Sequence, residues 1–173
     1  QPLYVVQAND AVVRTKDAKL FSEEVKKELL SRANPEQTKH LPGFLPLYKG
    51  MRLLISSKDC VRLGIMKGCP CTVEGIVFSD DEMLPVNLVS GHPHELTFMP
   101  ASLILRAEGA ERTLPPSELP DNLRGDIDRK GLFQLRPTYD YLTVKVGEEY
   151  VKVRRTTFQA MPADAMTVYA AQG

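Results

Sequence analysis

The 173-residue chain has no tryptophan, no net charge and only three cysteines. Each shortage excludes something. Lys and Arg number 22, and so do Asp and Glu. No global basic field exists, so any contact with nucleic acid must come from local patches or from parts outside this chain. An odd set of cysteines, with Cys69 and Cys71 flanking Pro70, is a poor disulfide framework. The expectation is reduced thiols and an intracellular location. No apolar run approaches the roughly 20 residues that span a bilayer, so no membrane partner is expected. The opening, QPLYVVQAND, lacks the basic start and long apolar core of a signal peptide. A GxxxxGK[ST] phosphate loop is missing. So is an Asp-Glu pair after an apolar strand, and no Ser/His/Asp order stands out. The chain alone is expected to carry no catalytic residue set.

Metal chemistry finds little support. Cys69-Pro70-Cys71 is tighter than zinc-ligand spacing, and only His92 and His94 lie nearby as further ligands. The simpler reading is a pair of small apolar thiols at a turn, with no metal.

The composition is otherwise that of a globular chain, with 43% hydrophobic and 25% charged residues. LYVVQ reads as a buried strand. Asn9 or Asp10 suits a helix N-cap, and a helix is expected over residues 11–33. Phe21, Val25 and Leu29, with Leu30, give that helix one apolar face. Asn34-Pro35 stops it. A Pro/Gly loop over residues 35–50 holds the expected domain boundary. Closely spaced strand candidates follow: MRLLISS, CTVEGIVF, LPVNLVS, ELTFMP and SLILRA. Their spacing predicts a small barrel or sandwich. The polar, Pro-rich stretch near 108–131 reads as a loop or insertion. YDYLTVKVG and EYVKVRRTTF predict a hairpin around Gly147-Glu148.

Basic residues fall in two runs: Arg52, Lys58, Arg62 and Lys67, then Lys145, Lys152, Arg154 and Arg155. In a strand Lys152 and Arg154 share one face and Arg155 lies opposite. Each run alone reads as a solvated face. Two runs meeting at the base of a barrel would make a phosphate-binding surface.

Three stretches, in order, resemble Pif/RecD-type superfamily 1 DNA helicases. LPGFLPLYKGMRLLISSKD resembles the family's L-x-L-x-x-G-M-R-V-M stretch. GIMKGCPCTVEGIVF resembles the hairpin that follows it. RRTTFQAMPADAMTVYAAQG resembles a motif that closes on Gln-Gly-x-Thr, and VVQANDAVVRTKDAKL is similar to a family strand and helix. The resemblance spans the chain. It implies an α/β fragment plus a small all-β SH3-like barrel, that is, a partial RecA-like domain with the barrel inserted. Residues 1–43 would be the first piece of the second RecA-like domain, 44–156 the barrel, and 157–173 the return. The abrupt start and the ending on Gln172-Gly173 fit a piece of a longer chain.

The same resemblance implies ATP and Mg²⁺ for the full-length enzyme, with neither site complete here. It implies single-stranded or forked DNA as partner, along with an N-terminal RecA-like domain of the same polypeptide. Asn9, Arg154, Arg155, Thr167, Tyr169 and Gln172 would face DNA, and Gln172 and Gly173 would lie near the nucleotide. The chain departs from the family pattern at four places. Tyr169 replaces a His, Ala170 a Lys, Lys67 an Asn and Cys71 a Gly. Tyr169 exchanges imidazolium charge for a ring able to stack on a base. Two other readings stand beside this one: a non-catalytic nucleic-acid-binding barrel derived from a helicase, and a protein-interaction module with an apolar groove.

Overall fold

The structure is a computed structural model, and it describes residues 1–13, 23–31, 38–56, 64–66, 68–85, 87–111, 113–125, 128–146 and 149–163. Within these the chain is mostly β, with one short helix and three open sheets. No helix among the described residues is long and apolar enough to cross a membrane.

The first sheet is built on β1 (Leu3–Gln7), whose β-branched and aromatic residues suit a pleated, half-buried surface. It pairs antiparallel with β3 (Phe44–Leu47) and parallel with β6 (Pro93–Glu95). The stretch expected to be a Pro/Gly loop therefore contains a strand. Pro46 is tolerated because β3 lies at the sheet edge, where a missing N–H breaks no ladder. Only the first residue of ELTFMP, Glu95, lies in a strand, with Leu96 N–H still donating to the Val5 carbonyl, and LPVNLVS forms no strand among its described residues.

The largest sheet runs β11-β4-β5-β7-β8. Its strands are β4 (Arg52–Ile55), β5 (Pro70–Val77), β7 (Ser102–Ala107), β8 (Leu132–Leu135) and β11 (Ala160–Pro162). Leu53, Val73, Leu103, Leu105 and Phe133 from its inner face pack with Val6, Leu45 and Leu47 of the first sheet to form the main core. The opposite face of β7 and β8 is also covered. Leu114 and Leu119, from the Pro-rich segment, pack on Ile104 and Leu132 there. That segment makes two short 3-10 turns, Pro116–Glu118 and Asp121–Leu123. It is thus a packed cover rather than a free insertion. Leu123 lies so close over Gly75, at a register shift in β5, that a side chain at position 75 would collide with it.

The third sheet has the order β2-β10-β9, from β2 (Asn9–Val12), β9 (Thr138–Val146) and β10 (Glu149–Thr157). The expected hairpin is present, in register from Glu149↔Val146 to Thr157↔Thr138. Helix α1 (Glu23–Ser31) sets Val25 and Leu29 on Leu142, Val144, Val151 and Val153 of this sheet. The apolar face read from the sequence does form, through Val25 and Leu29; Phe21 lies outside the described residues.

Two expectations change. Asn9 and Asp10 do not cap a helix; they lie in β2, in register with Thr156 and Arg155 of β10. β10 offers this segment a ladder, and the Arg155 guanidinium takes the Asp10 carboxylate. The ladders also do not close into a barrel, since no described pairing joins β8 to β11. Pairing crosses both expected boundaries: β1 and β2 bond to strands after residue 43, and β11 bonds to β4.

Candidate nucleic-acid interface

Alternation along β10 decides where its basic residues go. Val151, Val153 and Arg155 point inward, and Lys152 and Arg154 point to solvent. The split read from the sequence therefore holds.

Arg155 is completely buried, beside an Asp10 side chain only 3% exposed. Its Nε donates to Asp10 Oδ1 and its Nη2 to Asp10 Oδ2, both at 2.8 Å. Nη2 also donates to the Leu29 carbonyl at 3.1 Å, and Nη1 to the Leu41 carbonyl at 3.3 Å. The Leu29 carbonyl belongs to the last turn of α1, where carbonyls lack helical partners and positive charge is favoured. The guanidinium fork thus ties β2, β10, α1 and the loop before β3 together. With its donors held inside, Arg155 presents no side chain at the surface, and its place among the candidate phosphate contacts passes to the outward residues.

The outer face of the same sheet has a different character. Tyr139, Tyr141 and Tyr150 are 57%, 38% and 69% exposed. The Lys152 ammonium sits 4.6 Å from the centre of the Tyr141 ring, and the Arg154 guanidinium 5.6 Å from that of Tyr139. Both contacts are diagonal, since Lys152 lies opposite Thr143 and Arg154 opposite Tyr141. Long side chains reach such diagonal neighbours across a ladder. The two tyrosine rings meet edge to face, 6.0 Å between centroids and 79° between planes. Lys145 adds a third cation in register with Tyr150. Asn9, exposed and in register with Thr156, extends the face onto β2. No residue described on this face carries a carboxylate. Asp140, one position out of phase, is held by the Lys39 ammonium at 2.8 Å.

Of the expected site residues, the fold brings Asn9 and Arg154 to one surface and turns Arg155 away. Thr167, Tyr169, Gln172 and Gly173 lie outside the described residues, as do Lys58, Arg62 and Lys67 of the first basic run. Arg52, the described member of that run, pairs with Glu108 at 3.2 Å on another sheet. The tyrosines were missed in the sequence reading. For Tyr139 and Tyr141 a signal is present in TYDYLTVK, where two aromatic residues two positions apart share one strand face.

Among the described residues no group of His, Cys, Asp and Glu could hold a metal, and Cys60 lies outside them. Cys71 is buried in the main core and Cys69 is half-buried beside it.

No protein-family model matches the chain, and neither does any curated protein. Among solved structures, the chain is similar to the Pif1 helicase from Candida albicans, at 14% identity and a TM-score of 0.43, over 93% of this chain and 29% of that one. It is also similar to unliganded Pif1 from Bacteroides sp., at 10% identity and a TM-score of 0.42, over 94% of this chain and 32% of that one. Bacteroides Pif1 bound to ssDNA matches at 13% identity and a TM-score of 0.35, over 88% and 31%. The chain spans about three-tenths of the length of each of these structures.

Proposed function

We propose that the chain is a portion of an ATP-dependent DNA helicase of the Pif/RecD type, and that it supplies single-strand-facing elements rather than a complete ATPase site. The observation that carries this reading is the outer face of the β2-β10-β9 sheet, where three exposed tyrosines lie among Lys145, Lys152 and Arg154 with no described carboxylate. Aromatic rings interleaved with cations are what a single strand needs: a sequence-tolerant surface for bases and a positive track for phosphates.

In this reading residues 1–43 and 157–173 belong to the second RecA-like domain and 44–156 to its insertion. Strand pairing across these boundaries would make them one mechanical unit. Thr167, Tyr169 and Gln172 would extend the DNA contact, and Gly173 would approach the nucleotide. ATP and Mg²⁺ would be bound with the N-terminal RecA-like domain. The whole enzyme would act on single-stranded or forked DNA.

The test is the salt dependence of binding to single-stranded DNA. Neutralised phosphates release counterions, so affinity should fall steeply as salt rises. Binding that is absent, or indifferent to salt, would remove the reading. In the full-length protein, Gln172→Ala should uncouple DNA binding from ATP turnover more than it weakens binding. Side-by-side measurement of affinity and DNA-stimulated hydrolysis checks this, and wild-type coupling would remove Gln172 from the site.

A further inference from the structure

We infer that Tyr139 and Tyr141 are stacking platforms for two unstacked bases of a single strand, and that Lys152 and Arg154 cover their rings until the strand arrives. The inference rests on the nucleic-acid reading above and deepens it. Two large rings are exposed on a strand pair whose other face packs Leu142, Val144, Val151 and Val153 into a core. Folding therefore does not need them on that side. Each ring carries a cation near its face, at 4.6 Å and 5.6 Å. These contacts shield the rings without closing them off, because both side chains are long, flexible and anchored in solvent.

The ring geometry selects the ligand. Planes 79° apart face different directions. Two bases stacked on each other, as in a duplex, cannot lie flat on both rings. A single strand with splayed bases can. Once a base takes a ring, the displaced ammonium or guanidinium is free to swing to the phosphate beside it and make a charge-assisted hydrogen bond. The positive face, with no described carboxylate, complements a polyanion. Stacking tolerates any base, so the site would read single-strandedness and not sequence.

The experiment compares an oligothymidylate with an abasic oligonucleotide of equal length, which has the same phosphates and no bases. With six tyrosines and no tryptophan, intrinsic emission comes from tyrosine, and the part of its quenching that Tyr139→Leu/Tyr141→Leu abolishes reports stacking on these two rings. Wild type should bind the oligothymidylate roughly tenfold or more tightly than the abasic strand, with quenched emission. The double variant Tyr139→Leu/Tyr141→Leu should bind both strands alike and keep the salt slope of wild type. Tyr139→Phe/Tyr141→Phe, which keeps the rings, should retain the preference. Equal affinity of wild type for both strands would overturn the stacking inference while leaving DNA contact standing. A Leu variant that keeps the preference would overturn it too. If wild type binds neither strand, the nucleic-acid reading itself fails.

Discussion

Arg154 and Arg155 are neighbours in sequence and have opposite roles. One lies over the Tyr139 ring in water; the other is sealed in a four-bond clamp with Asp10 and the carbonyls of Leu29 and Leu41. The two faces of the β2-β10-β9 sheet differ in the same way. The inner face is apolar around the buried Asp10–Arg155 pair, with Asp140 held by Lys39 at its margin. The outer face is aromatic and basic, with Lys152 and Arg154 on rings rather than on carboxylates. What a charged residue contributes depends on the partners its face supplies. Buried, it must be fully satisfied; exposed, it is available to a ligand.

The sharpest way to break the comparison is Arg155→Leu. It leaves the Asp10 carboxylate buried without its partner, which is expected to cost about 3–5 kcal/mol of stability. Urea denaturation measures this; a loss near zero would mean that the clamp is not structural.

Asp10→Leu combined with Arg155→Met sharpens the same point. With both charges gone, no lone ion is buried, and much of that loss should return. The carbonyls of Leu29 and Leu41 still lose their donor, so about 1–3 kcal/mol should remain. A double variant worse than Arg155→Leu would contradict the account.

On the outer face, Arg154→Ala should change stability by only about 0.5 kcal/mol or less. Its effect belongs to binding, where the slope of log affinity against log salt should flatten by up to about one. Thermal melting and titrations at several salt concentrations separate the two. A large stability loss with an unchanged slope would reverse the assigned roles of Arg154 and Arg155.

The smallest effect contrasts a half-buried tyrosine with the exposed ones. Tyr4 packs edge-on against Phe78 at 5.1 Å, and burial raises its phenol above the ordinary value. The folded chain then holds this proton more tightly than the unfolded chain. Below the ordinary value of about 10, both states are protonated and Tyr4 adds no pH dependence. As pH rises past that value, the unfolded chain ionises first and stability falls, until the folded phenol ionises as well. Tyr4→Phe should lessen the drop in denaturation midpoint between about pH 9 and about pH 11. An unchanged drop would show that Tyr4 contributes nothing to it.

Some of this was legible in the sequence because it is local. The 9-residue strands of the hairpin, the inward Val151 and Val153 and the split between Lys152 and Arg154 follow from a period of two. Val25 and Leu29 follow from the period of a helix. Neither period names a partner. Asn9 and Asp10 carry the letters of a helix cap, yet β10 offered them a ladder. LFQL after Gly131 was obscured by the polar stretch before it, but became β8 because β7 supplied an edge and Leu114 and Leu119 covered its other side. The charge pair Asp10–Arg155 joins residues 145 apart. No local pattern reaches that far. The sequence by itself determined which residues share a face. Only the tertiary structure decided which face was buried, because burial depends on whatever else in the chain packs against it.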